Sequence, residues 1–162
     1  LCLSKALTAG LLPMAITSCT NEIYDAFYED EIVKGFFHGH TYTANPLACT
    51  AARAALKLLR SAEIQADIKR IVNSHQQFDK IVKKHPNVAR TRQLGIIYAL
   101  DLKIQTDRYG TMRDQLFSHF MEQGIFLRPL GNTIYVLPPY IISEPQLQKV
   151  YTSILSALDL VG

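Results

Sequence analysis

Apolar residues recur at helical spacing along the middle of the chain, at Ile64, Ile68, Ile71, Phe78 and Val82, while lysine, arginine and glutamine fill the other face. This spacing predicts a long amphipathic helix that begins near Ser61. A second such stripe, Leu147, Val150, Tyr151, Ile154, Leu155 and Leu158, predicts a final helix. Its entry, Ser143-Glu144-Pro145-Gln146, has the form of a capping box with a helix-starting proline. A shorter amphipathic stretch from Thr111 to Gln123 predicts a helix that Gly124 stops. Between these the pattern changes near His85-Pro86. NVARTRQLGIIYALDLK alternates and is β-branched in part, which predicts strands. IFLR-PLGN-TIYVLP predicts a hairpin around a proline-glycine turn. If it closes symmetrically about Leu130 and Gly131, Arg128 faces Thr133 and Tyr135 faces Phe126. Arg128 and Tyr135 are then diagonal neighbours on one sheet face.

The first third of the chain has a different pattern. Leu1 to Ser4 predicts the end of a buried strand, TAGLLP a loop around Gly10 and Pro13, and MAITSC a second buried strand. Thr20 has the chemistry to cap a helix over NEIYDAFYEDE, with Ile23, Ala26 and Phe27 on one face. FFHGHTYTANP is irregular. Asn45-Pro46 then suits a helix start, with LACTAARAALKLLR continuing it. Two parts are therefore expected. Residues 1–60 form the tail of an α/β layer whose two strands cannot make a self-standing sheet. Residues 61–162 form an α+β unit with an antiparallel sheet and helices on one side.

Composition adds limits more than identity. The chain has 162 residues, is 48% apolar and carries a formal net charge of +3. Its basic residues are spread out, so no nucleic-acid partner is expected. No apolar run approaches the ~20 residues of a membrane span, and no basic-then-apolar leader is visible. Cys2, Cys19 and Cys49 are an odd number without metal or redox spacing. They fit buried, reduced thiols in a cytoplasmic protein.

Three clusters carry candidate chemistry. Lys5 stands at a strand end beside a glycine-bearing loop, where a partly buried amine can act as a nucleophile. A solvated surface lysine is the commoner case for any lone lysine. FFHGHTYTANPLAC offers Gly39 for close backbone approach, the hydroxyls of Thr41 and Thr43, and a helix start, a combination that suits a phosphate. A capped loop is the plainer alternative. His38 and His40 have no further ligands in sequence, so no metal site is expected. Arg128 beside Tyr135 suits a carboxylate, or is simply an edge arginine stacked on a phenol.

SKALTAGLLPMA followed by FFHGHTYTANPLACTAA resembles the class III, pyridoxal 5'-phosphate (PLP)-dependent aminotransferases. LGIIYALDL and GIFLRPLGNTIYVLPPYIIS resemble the C-terminal part of members that act in biotin synthesis. The likeness runs from Leu1 to about Leu158 and covers the second half of the family's length. It implies the C-terminal part of a fold type I PLP enzyme: the end of the PLP-binding large domain over 1–60, then the small C-terminal α+β domain over 61–162. It also implies that Lys5 holds PLP covalently. Gly39, His40 and Thr41 would bind its phosphate from the neighbouring subunit of a homodimer. Many members carry proline where His40 stands. Arg128 would receive the substrate carboxylate, and Tyr135 would accompany that specificity. The implied small-molecule substrates are S-adenosylmethionine as amino donor and 8-amino-7-oxononanoate as acceptor. In the family, the acidic partner of the pyridine nitrogen, the ring-stacking aromatic and a phosphate-binding glycine turn all lie upstream of the lysine. The expectation is therefore a fragment that is inactive alone. Two alternatives stand beside this: a class III aminotransferase for ornithine, 4-aminobutyrate or another ω-amino acid, and a non-catalytic C-terminal interaction module.

Overall fold

The chain enters as a short ribbon, in which β1 (Cys2–Leu3) pairs antiparallel with β2 (Ile16–Thr17). In this computed structural model residues 1–105, 107 and 110–161 are described. They form two compact units, Leu1–Ser61 and Ala62–Gly162.

In the first unit the two strands are exposed, not buried as the apolar runs imply. Leu3 and Ile16 are each 41% exposed. The ribbon is only two strands wide, so no neighbouring strand carries a covering layer across it. The same openness corrects the expectation for the thiols: Cys2 and Cys19 are exposed and Cys49 is half-buried, all three free. Helix α1 (Asn21–Asp25) is capped as expected, the Thr20 hydroxyl accepting from the Ile23 amide at 3.5 Å. It is much shorter than NEIYDAFYEDE. Its apolar side is exposed, and a helix this short gains little without burial. A 3₁₀ turn at Ile32–Lys34 follows, with Lys34 paired to Glu29 and Glu31. Helix α2 (Pro46–Leu59) begins where the sequence places it. The Asn45 side chain accepts from the Leu47 and Ala48 amides, and Pro46 occupies a position that needs no donor.

The second unit holds the core. Helices α3 (Ala62–Val82), α4 (Thr111–Glu122) and α5 (Glu144–Asp159) accompany an antiparallel sheet of β3 (Val88–Leu94), β4 (Ile97–Leu102) and β5 (Thr133–Val136), in the order β3-β4-β5. Alternation gives the sheet two chemically distinct faces. Tyr98, Leu100 and Leu102 of β4, with Ile134 and Val136 of β5, are buried in one cluster with Ile71, Phe120 and Leu147 from the three helices. Arg90, Arg92, Asp101, Thr133 and Tyr135 share the other face by register. The capping box at Ser143 forms with both of its reciprocal hydrogen bonds, and Gly124 ends α4 with a left-handed φ of 69°.

The expected hairpin over 125–137 does not form. Only Leu130 and Thr133 bridge, around Gly131 and Asn132, and β5 pairs instead with β4, Tyr135 opposite Ala99. Thr133 therefore faces Leu130, not Arg128, and Phe126 has no strand partner opposite Tyr135. Pro129 offers no amide for a second ladder, and the Leu127 amide turns back to the Ile125 carbonyl at 3.0 Å.

Candidate functional site

Lys5 stands two residues beyond the end of β1, after Ser4, and its backbone is strained. Its φ of 56° with ψ of −84° lies where a residue with a side chain rarely sits. Ala9 and Ala44 are the other non-glycine residues with positive φ among the described residues, at 52° and 56°. Lys5 and Ala44 both line one cleft of about 960 Å³ in the first unit, and Ala9 adjoins Gly10, which also lines it. Strain gathered at one cavity must be held by its surroundings, and such clustering marks working sites. The hold on the lysine loop is visible. Thr8, 2% exposed, donates to the Leu12 carbonyl at 2.5 Å and accepts from the Leu12 amide at 3.3 Å. Ser4 adds a hydrogen bond to the Met14 carbonyl.

The cleft combines an amine with apolar walls and polar groups. Lys5 faces it together with Leu12, Met14 and Leu47, and with His40, Tyr42 and Asn45. The His40 loop braces itself. Its amide donates to the Thr43 hydroxyl at 3.2 Å, and its Nδ1 accepts from the Tyr42 amide at 3.2 Å. A proline in place of His40 would supply neither contact. Gly39 and Thr41 belong to the same loop but do not line the cleft. Both are exposed, and a Cβ on Gly39 would meet nothing closer than the Thr43 hydroxyl at 4.0 Å, so its backbone is open to close approach.

Lys5 and His40 thus share one cavity, whereas Arg128 and Tyr135 belong to the second unit. Arg128 is exposed between the buried Leu127 and Pro129. Its guanidinium makes no hydrogen bond or ion pair with the described residues. Tyr135 is 37% exposed on the polar face of the sheet, in one cross-strand row with Ala99 and Arg92.

Sequence reasoning missed Asp101, which lies beside that row. It is 7% exposed and accepts from Arg90 Nε at 3.0 Å, from both terminal nitrogens of Arg92, and from the Thr133 hydroxyl at 2.8 Å. Burial alone would raise its carboxyl pKa. The bonds from Arg92, Thr133 and Arg90 outweigh that and hold the pKa below the ordinary carboxylate value. The available signal was an aspartate inside IYALDL, an otherwise apolar strand. Thr8 was missed too, because its burial depends on the loop closing over it.

Among the described residues no group of three or more histidines, cysteines or carboxylates converges as a metal site. None of the described helices is long and apolar enough to cross a membrane.

The aminotransferase class-III family model matches residues 1–158. Adenosylmethionine-8-amino-7-oxononanoate aminotransferase of Synechococcus elongatus is 41% identical over 162 residues, covering 98% of this chain and 37% of the relative. The enzyme of the same name from Helicobacter pylori is 36% identical, with 98% and 37% covered. The crystal structure of the Methanocaldococcus jannaschii enzyme of that name superposes with a TM-score of 0.85 at 30% identity, over 98% of this chain and 38% of that one. A PLP-bound amine transaminase from an uncultivated Pseudomonas species superposes with a TM-score of 0.83 at 25% identity, over 99% and 38%. The chain thus spans somewhat over a third of the length of these relatives.

Proposed function

The chain belongs to the class III aminotransferases, and from that premise we propose that the protein is a PLP-dependent transaminase. It moves an amino group from S-adenosylmethionine to 8-amino-7-oxononanoate in biotin synthesis, as a homodimer in the cytoplasm. The observation that carries the reading is Lys5: the one lysine of the cleft, held in strained backbone, inside the stretch that the family model covers.

The residues present fit the cofactor. An aldehyde needs an amine, a pyridine ring needs apolar walls, and a phosphate needs hydroxyls and free amides. Lys5, then Leu12 and Met14, supply the first two within the cleft, and the Gly39–Thr41 loop offers the third to the cofactor of the other subunit. PLP, when bound, supplies the electron sink that makes a donor C–H bond acidic. Lys5 Nζ holds the cofactor, and the same amine, once free, takes up and returns a proton at Nζ. Gly39, His40 and Thr41 serve the phosphate, across the dimer from the lysine that they assist. Arg128 presents a two-pronged donor to the acceptor's carboxylate, and it has no partner among the described residues to occupy either prong. Tyr135 borders that carboxylate and tunes the choice of acceptor.

The test uses the complete protein loaded with PLP. Borohydride reduction followed by peptide mass spectrometry should place the pyridoxyl group on Lys5, and Lys5→Ala should lose both label and turnover. A label on another side chain would refute the assignment. Turnover of 8-amino-7-oxononanoate should exceed that of ornithine or 4-aminobutyrate; the reverse order would move the protein to another branch of the family.

A further inference from the structure

Arg128 and Tyr135 lie on either side of the Leu130–Thr133 turn, so whatever fixes that turn fixes both. Within the turn, Leu130 and Thr133 exchange backbone hydrogen bonds of 2.9 and 3.0 Å. These shape the turn but do not tie it to the sheet. Three further bonds do. The Leu102 amide donates to the Asn132 carbonyl at 2.8 Å, and the Asn132 side chain donates to the Leu102 carbonyl at 3.1 Å. The Thr133 hydroxyl donates to Asp101 Oδ1 at 2.8 Å.

The last bond differs from the others because its acceptor is an ionised, nearly buried carboxylate. Arg90 and Arg92 of β3 hold Asp101 from the far side, so its oxygens are fixed on that side independently of Thr133. The contacts run across the sheet from the β3 arginines through Asp101 on β4 to the first residue of β5. β5 is four residues long. The ladder to β4 and the burial of Ile134 and Val136 set its register, and the charge-assisted bond at its first residue fixes the end nearest the turn. Tyr135 lies two residues further along the same face, and Arg128 enters the turn from the other side. Without the Thr133 hydroxyl, Asp101 keeps Arg90 and Arg92 but loses its side-chain tie to β5.

We propose that Asp101 and Thr133 are positioning residues for the substrate-carboxylate grip, setting where Arg128 and Tyr135 stand. The inference rests on the reading that Arg128 receives the acceptor's carboxylate. Neither Asp101 nor Thr133 touches substrate; both act through the turn.

The experiment uses the complete PLP-loaded protein. The variants are Thr133→Val, which keeps shape and strand preference but removes the hydroxyl, Thr133→Ser, which restores it, and Arg128→Ala. Two quantities are measured for each: the split between KM for 8-amino-7-oxononanoate and kcat, and the Kd of nonanoate, a carboxylate probe that cannot react. Thr133→Val should raise both KM and Kd roughly tenfold, the scale of one hydrogen bond to a charged group. Its kcat should stay within about twofold, and Thr133→Ser should recover most of the loss. Arg90→Gln, an exposed substitution that slackens Asp101, should shift KM the same way by less. If Arg128→Ala weakens nonanoate binding but Thr133→Val and Arg90→Gln do not, the positioning role is wrong and the carboxylate reading stands. If Arg128→Ala leaves nonanoate binding unchanged, the carboxylate reading itself fails and takes this inference with it. A Thr133→Val protein that loses kcat and melting temperature with KM unchanged would show a purely structural bond and overturn the proposal.

Discussion

Removing one oxygen from the core of the second unit should cost more than its size suggests. His75 is fully buried and Tyr151 is 3% exposed. The Nε2 of His75 stands 2.9 Å from the Ile96 carbonyl, which can only accept, so Nε2 carries the proton. Nδ1 is then a bare lone pair, and the Tyr151 hydroxyl donates to it at 2.7 Å. Tyr151→Phe leaves the ring stacked on Phe78, 4.3 Å between centroids, and removes only that donor. An acceptor stranded in the core costs about 1–3 kcal/mol. For a chain of this length that lowers the melting temperature by roughly 2–12 °C. Denaturation followed by circular dichroism measures it.

The pH dependence of stability gives a sharper check. Burial lowers the pKa of His75 from its ordinary 6.5, and the bond to Ile96 offsets that only in part. As pH falls below about 6.5 the unfolded chain binds this proton first, so the folded state loses stability through the window down to the lowered pKa; above 6.5 the contribution is fully present. His75→Leu should therefore flatten the fall in stability between pH 8 and pH 5. In a His75→Leu background Tyr151→Phe should cost nothing, because the hydroxyl there has already lost its acceptor. A cost below ~0.5 kcal/mol at pH 8, the scatter of surface changes, would refute the reasoning.

Three other changes test the frame around the sites. Leu100→Ala empties a fully buried position on the central strand and should cost about 2–5 kcal/mol in urea denaturation. Asn45→Ala removes the acceptor for two α2 amides and should cost about 1 kcal/mol, with the first turn losing hydrogen-exchange protection. Gly124→Ala should cost on the order of 1 kcal/mol through backbone strain alone; the added Cβ meets Lys149 Nζ at 3.7 Å, so space is not limiting.

Local sequence determined much of the frame. Helices α2 to α5 are legible because caps, periodicity and stops act within a few residues: Asn45-Pro46, the Ser143 box and Gly124 each settle a boundary. β3 and β4 are legible because alternation and a Gly95 turn at φ 56° act over similarly short distances. Lys5, His40 and Thr41 stand out as a motif because one short stretch carries each set of residue types. Partners remote in sequence escaped that reading. The hairpin over 125–137 had the right turn residues, yet β5 pairs with β4 more than thirty residues upstream, Thr133 opposite Asp101. Its register answers to burying Ile134 and Val136 beside Leu100, not to symmetry about the turn. The two exposed strands of the first unit lie in largely apolar stretches, and an apolar run demands cover without saying where the cover comes from. The apolar strand around Asp101 hints at a buried charge, but its partners, and those of His75, appear only when the fold brings Arg90, Arg92, Thr133 and Tyr151 to them. Propensity and capping are settled among neighbours in sequence. The partner of a strand edge, and the fate of a buried charge, are settled only when distant segments compete for the same surface.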